Sequence, residues 1–120
     1  MEIPELADLI WLFEDEPKPD FEDLRWPVGL HTFRLTRGST TVVFSLDPTA
    51  GEAYVDLVVD GEPIVELHRL RTLEHLSIER SHPDRETLRL WFRDTGREPL
   101  ELRTRPTIGL SWNMKSLGSW

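Results

Sequence analysis

The chain has 120 residues, 38% of them hydrophobic and 30% charged, which is the size and balance of one compact domain. It has no cysteine, so disulfides and thiolate metal sites are excluded. Its net charge of −8 speaks against a nucleic-acid partner, since phosphate binding needs a net basic stripe.

No apolar run reaches the roughly 20 residues that span a bilayer, and Met1-Glu2-Ile3-Pro4-Glu5 is acidic where a secretory leader is basic. A soluble, cytoplasmic protein without a membrane partner is expected. Charge is unevenly placed. Residues 1 to 24 hold nine acids and one base, and so carry the whole excess. The other 96 residues balance, with 13 acids and 13 bases.

One domain is expected over 1–120, with a helix over 4–15, an extended acidic strap over 16–28, a β body over 29–113 and a tail over 114–120. Pro4 suits a first helical turn. Leu6, Leu9, Ile10 and Phe13 recur at helical spacing, and Trp11 and Leu12 widen that side. Pro17, Pro19 and Pro27 keep the strap extended. Phe21, Leu24 and Trp26 are expected to pin it to the body. A binding motif made of acids and aromatics is the second reading of the same segment.

From residue 29 the period becomes two. Phe33 and Leu35 alternate with a polar set of His31, Arg34 and Thr36. Val42, Phe44 and Leu46 form the next strand, and Ala53, Val55, Leu57 and Val59 the one after. Asp60-Gly61 between two apolar runs signals a type I′ hairpin. Residues 64 to 80 are ambiguous, because Ile64, Leu67, Leu70, Leu73 and Leu76 recur every third residue. An α-helix would spread that set around its circumference, so two strands with a corner near Arg71-Thr72 are preferred. Leu88, Leu90 and Phe92 alternate next. Asp94 to Arg97 turn the chain, then Leu100 and Leu102 follow, then Ile108, Leu110 and Trp112. The fold expected is mainly β: one antiparallel meander of about seven or eight strands, closed as a barrel or folded as a sandwich, with the helix packed on it.

No catalytic or metal-binding motif is present, and no cofactor is implied. His68, His75 and His82 are spaced by seven, which on strands does not converge. Asp56 is a mid-strand acid between apolar neighbours; water on the outer face is its ordinary environment. The candidate binding residues are Arg89, Trp91 and Arg93, an outward row if Leu88, Leu90 and Phe92 face the core. Arg103 from the next strand and Trp26 join them. Arg and Trp are enriched at binding hot spots. The competing reading is internal: the acidic segment covers this face, Glu14, Asp15 or Asp23 pair with its arginines, and Trp91 is buried. The acids Glu14, Asp15, Glu16, Asp20, Glu22 and Asp23 are candidates for steering a basic partner. Val43, Tyr54 and Val58 form a second outer patch, a possible homodimer contact.

The function expected is therefore a non-enzymatic module that binds a protein partner. A toxin-neutralising immunity or antitoxin protein is one concrete form. The alternative is a small ligand-binding barrel or enzyme, with Asp56, His68 or His75 lining its interior.

Overall fold

The computed structural model describes residues 2–22, 25–82, 84–93 and 98–112, leaving aside the side chains of residues 81 and 82. Asp23, Leu24, the expected turn at Asp94 to Arg97, and the tail lie outside the described residues. The chain forms helix α1 (Leu6–Phe13) and nine strands among the described residues. These are β1 (Lys18–Pro19), β2 (His31–Arg37), β3 (Thr40–Asp47), β4 (Glu52–Val59), β5 (Glu62–Leu70), β6 (Leu73–His82), β7 (Arg85–Phe92), β8 (Leu100–Arg105) and β9 (Gly109–Trp112). They make two antiparallel sheets in sequence order, β1 to β5 and β6 to β9, packed as a sandwich.

Alternation builds the core. Phe33, Val42, Phe44, Leu46 and Val55 of the first sheet are buried, as are Leu88, Leu90, Leu100 and Leu102 of the second. The helix adds Leu9, Leu12 and Phe13, and the Phe13 ring stacks on Phe33 at 5.2 Å and on Phe44 at 5.5 Å. Its buried face is centred on these three, with Leu6 and Ile10 at the margins. Trp11, which the apolar side was expected to include, is 47% exposed.

Two short turns obey local chemistry. Asp60 (φ 52°) and Gly61 (φ 81°) both lie in the left-handed region that a type I′ turn requires. Glu14 ends the helix in the same region, at φ 57°, and its N–H bonds the Ile10 carbonyl.

The every-third-residue pattern resolves into strands with bulges. Ala53 faces Leu70 and Val55 faces Leu67, so three steps on β5 oppose two on β4. Arg69, at φ 57°, is within the extra step, and both Leu67 and Leu70 reach the core. In β6, Leu73 faces Phe92 and Leu76 faces Leu90, again three steps against two. Arg71 and Thr72 (φ 63°) turn the chain from the first sheet into the second. The Leu73 N–H bonds Gly51 and the Arg93 N–H bonds Thr72, fixing that corner.

Two expectations are corrected. His31 belongs to the core face, being two residues from Phe33, and it is buried with Nε2–H donating to the Val28 carbonyl at 2.7 Å. Phe21 does not pin the strap, since it is 65% exposed between exposed Asp20 and Glu22. Trp26 does pack inward, edge-on to His31 at 5.3 Å and to Phe33 at 6.0 Å.

Candidate interaction surfaces

The strand β7 places Arg89 and Trp91 opposite the buried Leu88, Leu90 and Phe92, and adjacent strands engage both. Arg89 Nη1 donates to Glu79 at 3.0 Å and Nε to Glu101 at 3.3 Å. Trp91 stacks on His75 at 5.3 Å, with its rings 10° apart, and Nε1–H donates to Ser77 Oγ at 3.0 Å. Arg93 and Glu74 make a looser, exposed pair at 3.6 Å. Arg103 donates from Nε to the Thr107 carbonyl at 3.1 Å. Neighbouring strands, rather than the acidic segment, therefore supply the carboxylates of Arg89 and Arg93, and Trp91 is half-buried against β6.

The acidic segment does pair with arginines, but with others. Glu14 accepts from Arg37 Nη2 and from Arg105 Nη2, the latter at 3.3 Å. The Arg37 hydrogen bond, reinforced by the charges of Arg37 and Arg105, holds the Glu14 carboxyl below its ordinary pKa of 4.5 against a smaller opposing effect of burial. Arg37 also donates from Nε to the Thr104 carbonyl at 2.8 Å. Arg105 and Arg80 both lie over the Trp11 ring, their Cζ atoms 4.4 and 4.7 Å from its centroid. Between them, Glu86 is 1% exposed. Its Oε1 accepts from Arg80 Nε at 2.8 Å, while Oε2 lies 3.6 Å from Arg105 Nε and accepts no hydrogen bond among the described residues. The cluster ties the helix to β2, β6, β7 and β8.

This cluster was missed in the sequence, although one signal was there. Glu86 is two residues before Leu88, so the period that buries Leu88, Leu90 and Phe92 also aims Glu86 inward. A carboxylate at such a position needs a cation.

Three of the remaining steering candidates stay in solvent. Glu16, Asp20 and Glu22 are exposed and Asp15 is half-buried, whereas Asp23 is outside the described residues. A hollow of about 300 Å³ lies between the helix and the strap, lined by Leu6, Ile10, Pro17, Pro19, Trp26 and His31 with Glu16 at its edge. On the outer face of the first sheet, Asp56 Oδ1 hydrogen-bonds His68 Nε2 at 2.7 Å, and Tyr54 lies 6.0 Å from the His68 ring. Val43 and Val58 share that face. Asp56, His68 and His75 thus all lie outside the sandwich core, not in an interior cavity. Among the described residues, no three His, Asp or Glu side chains converge as a metal site. None of the described helices is long and apolar enough to cross a membrane.

No family model and no curated protein matches this chain. A solved structure does. The chain is similar in fold to a chain of a contact-dependent growth inhibition toxin–immunity protein complex from Klebsiella pneumoniae 342, with a TM-score of 0.75. The likeness covers 93% of this chain and 95% of that one, at 17% sequence identity. At that coverage it takes in residues of both sheets.

Proposed function

We propose that this protein is an immunity-type module: it binds a protein toxin and neutralises it, acting in the cytoplasm. The observation that carries this reading is the likeness of fold, over 93% of this chain, to a chain of a toxin–immunity complex. Charge favours the immunity side of such a pair. The chain carries −8, all of it assigned to the first 24 residues, and the strap exposes Glu16, Asp20 and Glu22 as well as the ring of Phe21. Acids of that kind draw in a basic partner, and an exposed aromatic ring gives it a place to dock. The same charge repels nucleic acid.

Two measurements test the proposal. The tagged chain is used to capture proteins from lysate of its source at low salt, and the gene of any stoichiometric partner is then expressed in a test host. Growth arrest that co-expression of this chain relieves is the expected result. A partner that arrests nothing, or no partner at all, refutes the reading. Association with the captured toxin should slow about tenfold or more as salt rises from about 0.05 to 0.5 M. Neutralising Glu16, Asp20 and Glu22 as Gln, Asn and Gln should remove most of that salt dependence. A rate indifferent to salt takes the strap out of the mechanism. Size-exclusion chromatography of the free chain decides whether the Val43, Tyr54 and Val58 face forms a homodimer.

A further inference from the structure

The outer face of the second sheet carries a groove of about 340 Å³ that is lined by Arg85, Thr87, Glu101, Arg103, Gly109 and Ser111 among others. An adjoining hollow of about 390 Å³ shares Arg85 and Arg103 and extends to Asp84 and Thr107. The two arginines differ from their neighbours. Arg89 is paired to Glu79 and Glu101, and Arg93 to Glu74. Among the described residues neither Arg85 nor Arg103 forms an ion pair, in a chain with 22 acids to 14 lysines and arginines. Glu101, at the groove's wall, is already engaged by Arg89.

Arg103 is also held in position. Its Nε and Nη2 donate to the Thr107 carbonyl and hydroxyl at 3.1 and 3.2 Å, which leaves Nη1 without an acceptor among the described residues. The guanidinium lies across Gly109, where a Cβ would come within 2.6 Å of Nη2 and 2.9 Å of Cζ. Glycine at 109 therefore makes the room that the guanidinium occupies. A fixed arginine fork loses little freedom on meeting a carboxylate, and planar two-point binding of carboxylates is what arginine does best.

We propose that this groove receives an Asp or Glu side chain from an acidic segment of the protein partner, with Arg103 as the fixed donor and Arg85 as the second cation. The partner's being a protein rests on the function proposed above. Glu101 at the wall suits a singly charged carboxylate better than a phosphate dianion, and the chain's net charge disfavours a polyanion. A partner drawn in by the acidic strap and gripped by this groove makes two contacts of opposite sign. Two such contacts fix orientation, which one charge patch cannot do.

The test uses the full ¹⁵N-labelled chain and a short peptide probe, acetyl-Gly-Glu-Gly-Glu-Gly-amide, with its Gln counterpart and inorganic phosphate as controls. The Glu peptide should shift the amide signals of Gly109, Leu110 and Ser111 saturably, and the Gln peptide should not. Arg103→Ala should abolish the shifts. Gly109→Ala should weaken them severalfold, because it keeps the charge and displaces the fork. Circular dichroism confirms that both variants fold. Absent shifts, or shifts unchanged in Gly109→Ala, overturn the proposal. Shifts from phosphate but not from the Glu peptide overturn it in favour of a phosphate ligand. Toward a captured toxin, Arg103→Ala should weaken binding about tenfold or more. Equal binding by variant and wild type overturns the groove and leaves the immunity reading intact. Failure to capture any toxin refutes the immunity reading, while the peptide titration still decides the groove.

Discussion

The arginines around Trp11 and those flanking the groove on the second sheet are in opposite circumstances. Arg37, Arg80 and Arg105 each contact a carboxylate, Glu14 or the buried Glu86, and two of them also cover an indole ring. Arg85 and Arg103 have no such partner among the described residues, although Arg103 is held in place by a threonine and a glycine. The first group has its charge matched within the chain and joins the helix to both sheets. The second presents charge outward. In an acid-rich chain, internal pairing separates arginines that hold the fold from arginines whose charge is left unmatched among the described residues, and residue type alone does not.

The sharpest way to break this comparison is to remove the matched cations. Arg80→Met with Arg105→Met leaves the Glu86 carboxylate buried and uncompensated. Stability should fall by about 3–5 kcal/mol, measured by urea denaturation. Adding Glu86→Leu to that pair should recover much of the loss, because the buried charge is then gone. Arg85→Ala with Arg103→Ala should shift stability by only about 0.5 kcal/mol. Equal losses from the two pairs would erase the distinction between them.

How much of this was legible in the sequence follows from how local each signal is. Alternation in β3, β4, β7 and β8 marked the buried face correctly, because one face of each strand is covered and the period is fixed by the pleat. The Asp60-Gly61 hairpin was legible for the same reason, since the turn's dihedral angles are set by two residues. The stretch from Ile64 to Leu76 was harder. A bulge in each of β5 and β6 turns a period of two into a spacing of three, and bulges are defined by the opposite strand. Partners were hardest of all. Period two puts Arg89 and Trp91 on an outer face, but not beside Glu79, Glu101 and His75, which come from other strands. The same holds for Trp11, whose covering arginines are 69 and 94 residues away in the chain.

Glu14 offers a finer cut at the matched cluster. It is a non-glycine residue in the left-handed region, at φ 57°, and its side chain binds Arg37 and Arg105. Glu14→Ala loses both pairs and keeps the backbone strain, and should cost about 1 kcal/mol. Glu14→Gly loses the same pairs and relieves the strain, so it should be more stable than Glu14→Ala by about 0.5–1 kcal/mol. If the two variants unfold at the same urea concentration, the helix end is unstrained and the ion pairs are its whole contribution.

The smallest effect is read with pH. The Glu14 carboxyl titrates below 4.5 in the folded chain because Arg37 hydrogen-bonds its charged form, with Arg105 adding to the attraction. In the unfolded chain it titrates near that ordinary value. Between the two, the unfolded state binds more protons, so stability rises with pH across that interval. The contribution is complete above 4.5 and disappears as pH falls through the lower, folded value. Glu14→Gln should therefore flatten the acid limb of the stability curve and leave its slope near neutral pH unchanged. Arg103→Ala should leave the Glu14-dependent part of the acid limb intact, because Arg103 has no carboxylate partner to protonate among the described residues. An acid limb flattened equally by Arg103→Ala would mean that the groove arginine is paired within the chain after all, and the contrast between the two clusters would fail at its unmatched end.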